Sequence, residues 1–68
     1  MGFDGKKLRT LRLMKRKNIY SAAMDTGIEK ANWKRLENGT TVNPRINTVM
    51  SIAEYFEVPM ESLYKKTV

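Results

Sequence analysis

Ile46, Val49, Ile52, Ala53 and Phe56 recur three or four residues apart, the spacing of one face of an α-helix, and this stripe is the strongest core signal in the 68-residue chain. It dictates a helical core. A chain of this length makes one domain, residues 1–68, in which a single layer of apolar side chains leaves little net stability. The other segments are therefore expected to be short helices folded against the stripe, with Gly and Pro marking where they break.

Taken in order, Asp4 is placed to cap a first helix. Phe3 and Leu8 fall at the positions of a hydrophobic staple, and Leu8 and Leu11 form a stripe running to about Lys17. Asn18 opens a second helix, 19–26, which Gly27 ends because glycine takes the left-handed backbone of a tight turn. A third helix carries Trp33 and Leu36 on one face, with Glu29 as its cap, Ile28 stapled to Trp33 and a stop at Asn38-Gly39. After a polar loop at 40–43, Pro44 suits the first turn of the fourth helix. A turn at 57–59 leads to a last helix with Met60, Leu63 and Tyr64 and a basic tail at Lys65 and Lys66. The expected fold class is all-α, a compact domain of five helices.

The formal charge is +6, and its excess lies at the front. Residues 1–18 hold Lys6, Lys7, Arg9, Arg12, Lys15, Arg16 and Lys17 against Asp4, whereas the rest of the chain is balanced. A basic face of this kind attracts polyanions, either nucleic acid or acidic membrane. The absence of Cys and His removes disulfides, thiol and imidazole catalysis and the common zinc sites, so no enzyme, metal or cofactor is expected. No apolar run reaches the roughly eighteen residues of a membrane span, and the N-terminus lacks the apolar stretch of a signal peptide. Both features point to the cytoplasm.

Two short helices separated by a glycine turn, the second closed by Leu36-Glu37-Asn38-Gly39, resemble the helix-turn-helix of the phage repressor and Cro family, the XRE-type transcriptional regulators. The resemblance covers nearly the full chain, through Leu8-Arg9-Thr10-Leu11-Arg12, Ala23, Thr26-Gly27-Ile28, Ile52-Ala53, Val58 and Leu63. Each match has a physical reason. The small Ala23 lets the third helix cross the second closely, Gly27 supplies the turn, and Ile28 plugs the angle between the helices. The resemblance also implies an ion pair between Arg12 and Glu37 beside the DNA backbone. Ile19 departs from the family by standing where Gln is usual, and Ala22 by standing where a large aliphatic residue is. Trp33 is larger than the family's residue there, so the indole is expected to fill the volume that Ala22 leaves. Glu29 replaces the usual Ser or Thr, and its carboxylate repels phosphate unless it reads a cytosine amino group.

In this family the third helix lies in the major groove. With Trp33 inward at about 100° per residue, Ala31, Arg35 and Asn38 point away from the core, Lys34 lies on a flank, and Lys30 enters from the first turn. The resemblance thus implies base contacts from Lys30, Ala31, Asn32, Lys34 and Arg35, whose chemistry suits guanine, adenine and thymine edges. Backbone contacts fall to Lys17, Asn18, Ile19, Asn38, Thr40 and Thr41, and Arg45 is placed for the minor groove.

The expected function is regulation of transcription, as a repressor acting as a homodimer on a pseudo-palindromic operator in double-stranded DNA. Val58, Pro59, Met60 and Tyr64 are the expected dimer surface. They cluster where the core needs only Val58 and Leu63, no separate dimerisation domain is evident, and related phage regulators pair through this region. An antitoxin or restriction-controller protein of the same class, and a protein-interaction adaptor with the same fold, stand as alternatives. Ile19 and Glu29 favour the adaptor; Lys30, Lys34 and Arg35 favour the DNA binder.

Overall fold

The computed structural model describes residues 2–65, which form four α-helices and one 3-10 turn. In chain order these are α1 (Gly5–Met14), α2 (Ile19–Thr26), α3 (Lys30–Glu37), α4 (Ile46–Phe56) and the turn Met60–Leu63. Local chemistry sets most boundaries. Asp4 accepts a hydrogen bond from the Lys7 amide at 3.1 Å and Asn18 from the Ser21 amide at 2.7 Å, each satisfying an N–H that a helix start leaves open. Gly27, at φ +75°, ends α2, and the Ile28 amide closes the turn on the Ala23 carbonyl at 3.1 Å. Glu29 takes the cap position of α3 without a side-chain bond.

One core results. Leu8, Ala22, Trp33, Val49, Ile52 and Leu63 are fully buried, and Phe3, Ala23, Leu36 and Ala53 complete the cluster. Ala22 and Trp33 therefore belong to one interior, a small residue on α2 and the largest on α3. Trp33 also meets Phe56 of α4 edge to face, with ring centres 6.4 Å apart. Gly5 is buried where α1 crosses the end of α3, and a Cβ there would stand 2.2 Å from the Leu36 carbonyl oxygen.

Several expected boundaries are corrected. α1 stops at Met14 rather than near Lys17, because Arg16 turns into the left-handed region at φ +59° and reverses the chain. Pro44 precedes α4 instead of entering it, Arg45 is the cap, and Ile46 in the first turn is 58 % exposed rather than part of the core. The expected fifth helix is only the 3-10 turn. Tyr64 leaves it in an extended conformation because residues 2–4 pair with the chain there: Asp4 donates to the Leu63 carbonyl at 2.7 Å, Lys65 donates to the Gly2 carbonyl at 2.8 Å, and Phe3 and Tyr64 form an antiparallel bridge. Lys66 of the expected basic tail lies outside the described residues.

Candidate nucleic-acid interface

Trp33 and Leu36 bury one side of α3, and its other side is open: Lys30, Ala31, Asn32, Lys34 and Arg35 are all exposed. The end of the helix is fixed by Glu37. Arg12 Nε donates to Glu37 Oε2 at 2.6 Å and Arg12 Nη2 to Oε1 at 3.0 Å, the two-pronged geometry that makes guanidinium and carboxylate a strong pair. Arg12 Nη1 donates to the Lys17 carbonyl at 2.9 Å, and Trp33 Nε1 donates to Glu37 Oε2 at 2.5 Å. Arg12 is only 8 % exposed. Its hydrogen bond to Glu37 raises the guanidinium pKa above its ordinary value, outweighing the opposing effect of burial. One ion pair thus joins α1, the loop after it and α3.

The expected base-reading residues occupy one face but differ in their surroundings. Arg35 Nη1 donates to Asn32 Oδ1 at 2.9 Å, so Asn32 orients the Arg35 fork. Lys30 Nζ lies 5.9 Å from the centre of the Tyr20 ring. Lys34 and Asn38 border a notch shared with Arg9, Ile19 and Glu37, where α1, α2 and α3 meet. Asn32 borders a cleft on the opposite flank with Thr41, Arg45 and Thr48. Ala31 is simply exposed.

The expected backbone contacts are less uniform. Asn18 uses its side-chain oxygen as the α2 cap, and Ile19 packs its side chain against the core, leaving the first amides of α2 at an open helix end. Lys17 Nζ lies 3.5 Å from the Asp25 carboxylate, which answers part of its charge within the protein. Asn38 Oδ1 accepts from the Thr40 amide at 2.9 Å, and the Thr41 amide donates to the Arg35 carbonyl at 3.1 Å. Those amides close the end of α3, so Thr40 and Thr41 have their hydroxyls to offer. Arg45 extends from the head of α4 with no capping bond. Of the expected dimer residues, Val58 and Met60 line an apolar groove with Met50, Ala53, Glu54 and Glu57, and Pro59 is exposed. Tyr64 is half-buried and meets Phe3 edge to face, with ring centres 6.3 Å apart.

Sequence reasoning missed Arg9 and Tyr20 on this surface, although Arg9 stands one helical turn before Arg12 and so shares its face. It also missed a polar cluster on the side of α4. Tyr55 donates to Asp25 Oδ2 at 2.6 Å, and Lys15 Nζ lies 4.9 Å from the centre of the Tyr55 ring. The hydrogen bond from Tyr55, aided by the charge of Lys17 and opposed by desolvation, holds the Asp25 carboxyl below its usual range. Desolvation and then Asp25 push Tyr55 up to about 12. No local signal marks this pair, since thirty residues separate its members.

Among known families, the one described as a helix-turn-helix domain matches residues 5–67. The chain belongs to the helix-turn-helix domain family. It is a Cro-like DNA-binding regulator domain, of a class that is not enzymatic. Similar proteins of Bacillus subtilis strain 168 include the HTH-type transcriptional repressor RghR, 32 % identical over 62 residues that cover 91 % of this chain and 46 % of the relative. The uncharacterized HTH-type transcriptional regulator RghRB is 32 % identical over 59 residues, covering 87 % of this chain and 42 % of the relative. The chain thus spans less than half the length of these curated relatives. No solved structure matches it. The match takes in all four helices, so α2, the turn at Gly27 and α3 lie within it. No helix among the described residues is long and apolar enough to cross a membrane.

Proposed function

We propose that the domain binds operator DNA sequence-specifically, with α3 in the major groove, and acts as a transcriptional repressor in the form of a homodimer on pseudo-palindromic sites. The observation that carries this reading is the division of α3. Trp33, Leu36 and Glu37 fix its inner side, while Lys30, Ala31, Asn32, Lys34 and Arg35 are exposed on the other. Fixed donors on a helix are what direct readout of base edges requires. Arg9 and Lys34 on one flank and Arg45 on the other extend positive charge toward the phosphates that border the groove. Repression is supported by the printed name of one relative, whose length this chain covers only in part.

The dimer surface we assign is the apolar groove of Met50, Val58 and Met60 with the adjacent Pro59; Met50 is 46 % exposed. A two-fold dimer of this kind sets half-sites about 10 to 10.5 base pairs apart, centre to centre. The test begins with titration of the protein against random duplex at two salt concentrations, followed by selection of bound sequences from a randomised library. Lys34→Ala and Arg35→Ala should each relax the selected sequence more than they weaken binding to random duplex, with each lost contact discriminating by about 1–3 kcal/mol. Equal losses on selected and random DNA in both variants would refute the assignment of α3. Absence of salt-dependent binding would favour the adaptor, for which the uncapped Glu29 at the start of α3 is the structural argument. Inserting five base pairs between half-sites turns one of them to the opposite face, and undiminished affinity for that operator would refute the dimer.

A further inference from the structure

We propose that Tyr20 is a specificity-determining residue of this surface, a positioning residue whose ring holds the Lys30 ammonium over the base-reading end of α3. The inference rests on the DNA-binding reading and adds a residue that neither motif nor composition assigns. Tyr20 is the second residue of α2 and Lys30 the first of α3, so the Gly27 turn brings them together across the mouth of the motif. The Lys30 ammonium lies 5.9 Å from the ring centre, within the reach at which the negative face of an aromatic ring attracts a cation.

Lys34, one turn further along α3, carries the same charge and disfavours an ammonium lying along the helix toward it, while the adjacent Glu29 carboxylate, which makes no capping bond, competes with the ring for Lys30. Ile19 packs its side chain against the core and offers no polar or aromatic group to the start of α3. Tyr20, the next residue, offers Lys30 an aromatic face. It is 59 % exposed and lies outside the core cluster, so the fold does not need it. A free lysine samples many rotamers, and a base contact must order it. A ring that restricts the ammonium before DNA arrives removes part of that ordering and favours one base position over its alternatives.

The first measurement is made on the free protein, by the ring-current shift of the Lys30 Hε protons in nuclear magnetic resonance. An upfield shift should be present in the wild type and in Tyr20→Phe, and absent in Tyr20→Leu, which keeps apolar bulk but no ring. Equal shifts in wild type and Tyr20→Leu would overturn the proposal, whatever the protein does with DNA. The second measurement selects bound duplexes from a randomised library. Lys30→Ala should abolish preference at one position of each half-site, and Tyr20→Leu should weaken preference at that same position by about two- to fivefold, the fold-change expected of an exposed cation–ring contact. Tyr20→Phe should retain the preference, and Tyr20→Leu combined with Lys30→Ala should be no worse there than Lys30→Ala alone. A Tyr20→Leu profile identical to wild type overturns the proposal. So does a Tyr20→Phe profile as damaged as Tyr20→Leu, because the hydroxyl and not the ring would then matter. If wild type enriches no sequence at all, the DNA-binding reading fails, and the shift measurement still decides whether Tyr20 holds Lys30.

Discussion

Gly5→Ala is the substitution whose sign depends most directly on the crossing of α1 and α3. Gly5 begins α1 and lies buried against the last turn of α3. A methyl carbon added there would stand 2.2 Å from the Leu36 carbonyl oxygen and 2.9 Å from that of Glu37, whereas ordinary contact begins at 3.4 Å. The shortfall exceeds an ångström, and the opposing atoms are backbone, which cannot swing aside as a side-chain tip can. At an open helical position the same change would raise stability by up to about 1 kcal/mol, because alanine loses less entropy than glycine on entering a helix. Here overpacking costs about 1–3 kcal/mol and more if the helices cannot separate, so a net loss is expected. For a domain of this size each 1 kcal/mol lowers Tm by about 4–8 °C. Thermal unfolding followed by circular dichroism should therefore show Gly5→Ala melting several degrees below wild type. Lys6→Ala, at the next and exposed position, should stay within about 0.5 kcal/mol. A Gly5→Ala protein as stable as wild type, or more so, would refute the close crossing.

Four further tests address other parts of the structure. Glu37→Gln leaves the buried Arg12 guanidinium without its counter-charge and should cost about 3–5 kcal/mol in urea titration, whereas Arg12→Met combined with Glu37→Leu should cost less than that single change. Asp25, held below its ordinary 3.8, contributes stability that is complete above that value and lost as pH falls through the lower folded value. The Tm gap between wild type and Asp25→Asn should thus be level near neutrality and shrink in acid. Tyr55 runs the other way, its contribution being full below pH 10 and lost as pH rises toward about 12, and tyrosinate absorbance should show one late-titrating tyrosine. Glu57 holds φ +54° after α4, a conformation that glycine takes without strain, so Glu57→Gly should raise stability by about 0.5–1 kcal/mol and Glu57→Ala should not.

What was legible in the sequence was what acts over three or four residues. Asp4, Asn18 and Gly27 mark helix ends because their partners lie within the same turn. The outward face of α3 follows from its periodicity once Trp33 is placed inward. The last helix was illegible because its fate depends on residues 2–4, some sixty positions earlier in the chain, which take up the backbone of residues 63–65. Ile46 has the right spacing for the stripe, but it sits in the first turn after Pro44, where α4 has not yet reached the core. Arg16 ends α1 by a left-handed turn that no glycine announces. In the site, the residue types of α3 were readable, but the neighbours that orient them were not. Tyr20 reaches Lys30 across a turn, and Arg9 reaches the edge of α3 from another helix.

Trp33 ties the core to the polar edge of α3. A buried indole needs a partner for its N–H, and a core built around one would otherwise hold an unsatisfied donor. Glu37, one turn further along α3, accepts that hydrogen bond, and its own charge is met by Arg12 from α1. Among the described residues no buried side-chain polar atom is left without a partner. The ion pair implied by the family resemblance therefore does a second task in this chain, completing the polar edge of its largest core residue and locking the rotation of α3 in the same contact. Lys30, Lys34 and Arg35 enter none of these interactions. They can change without disturbing the core, so stability and sequence preference reside on opposite faces of one eight-residue helix.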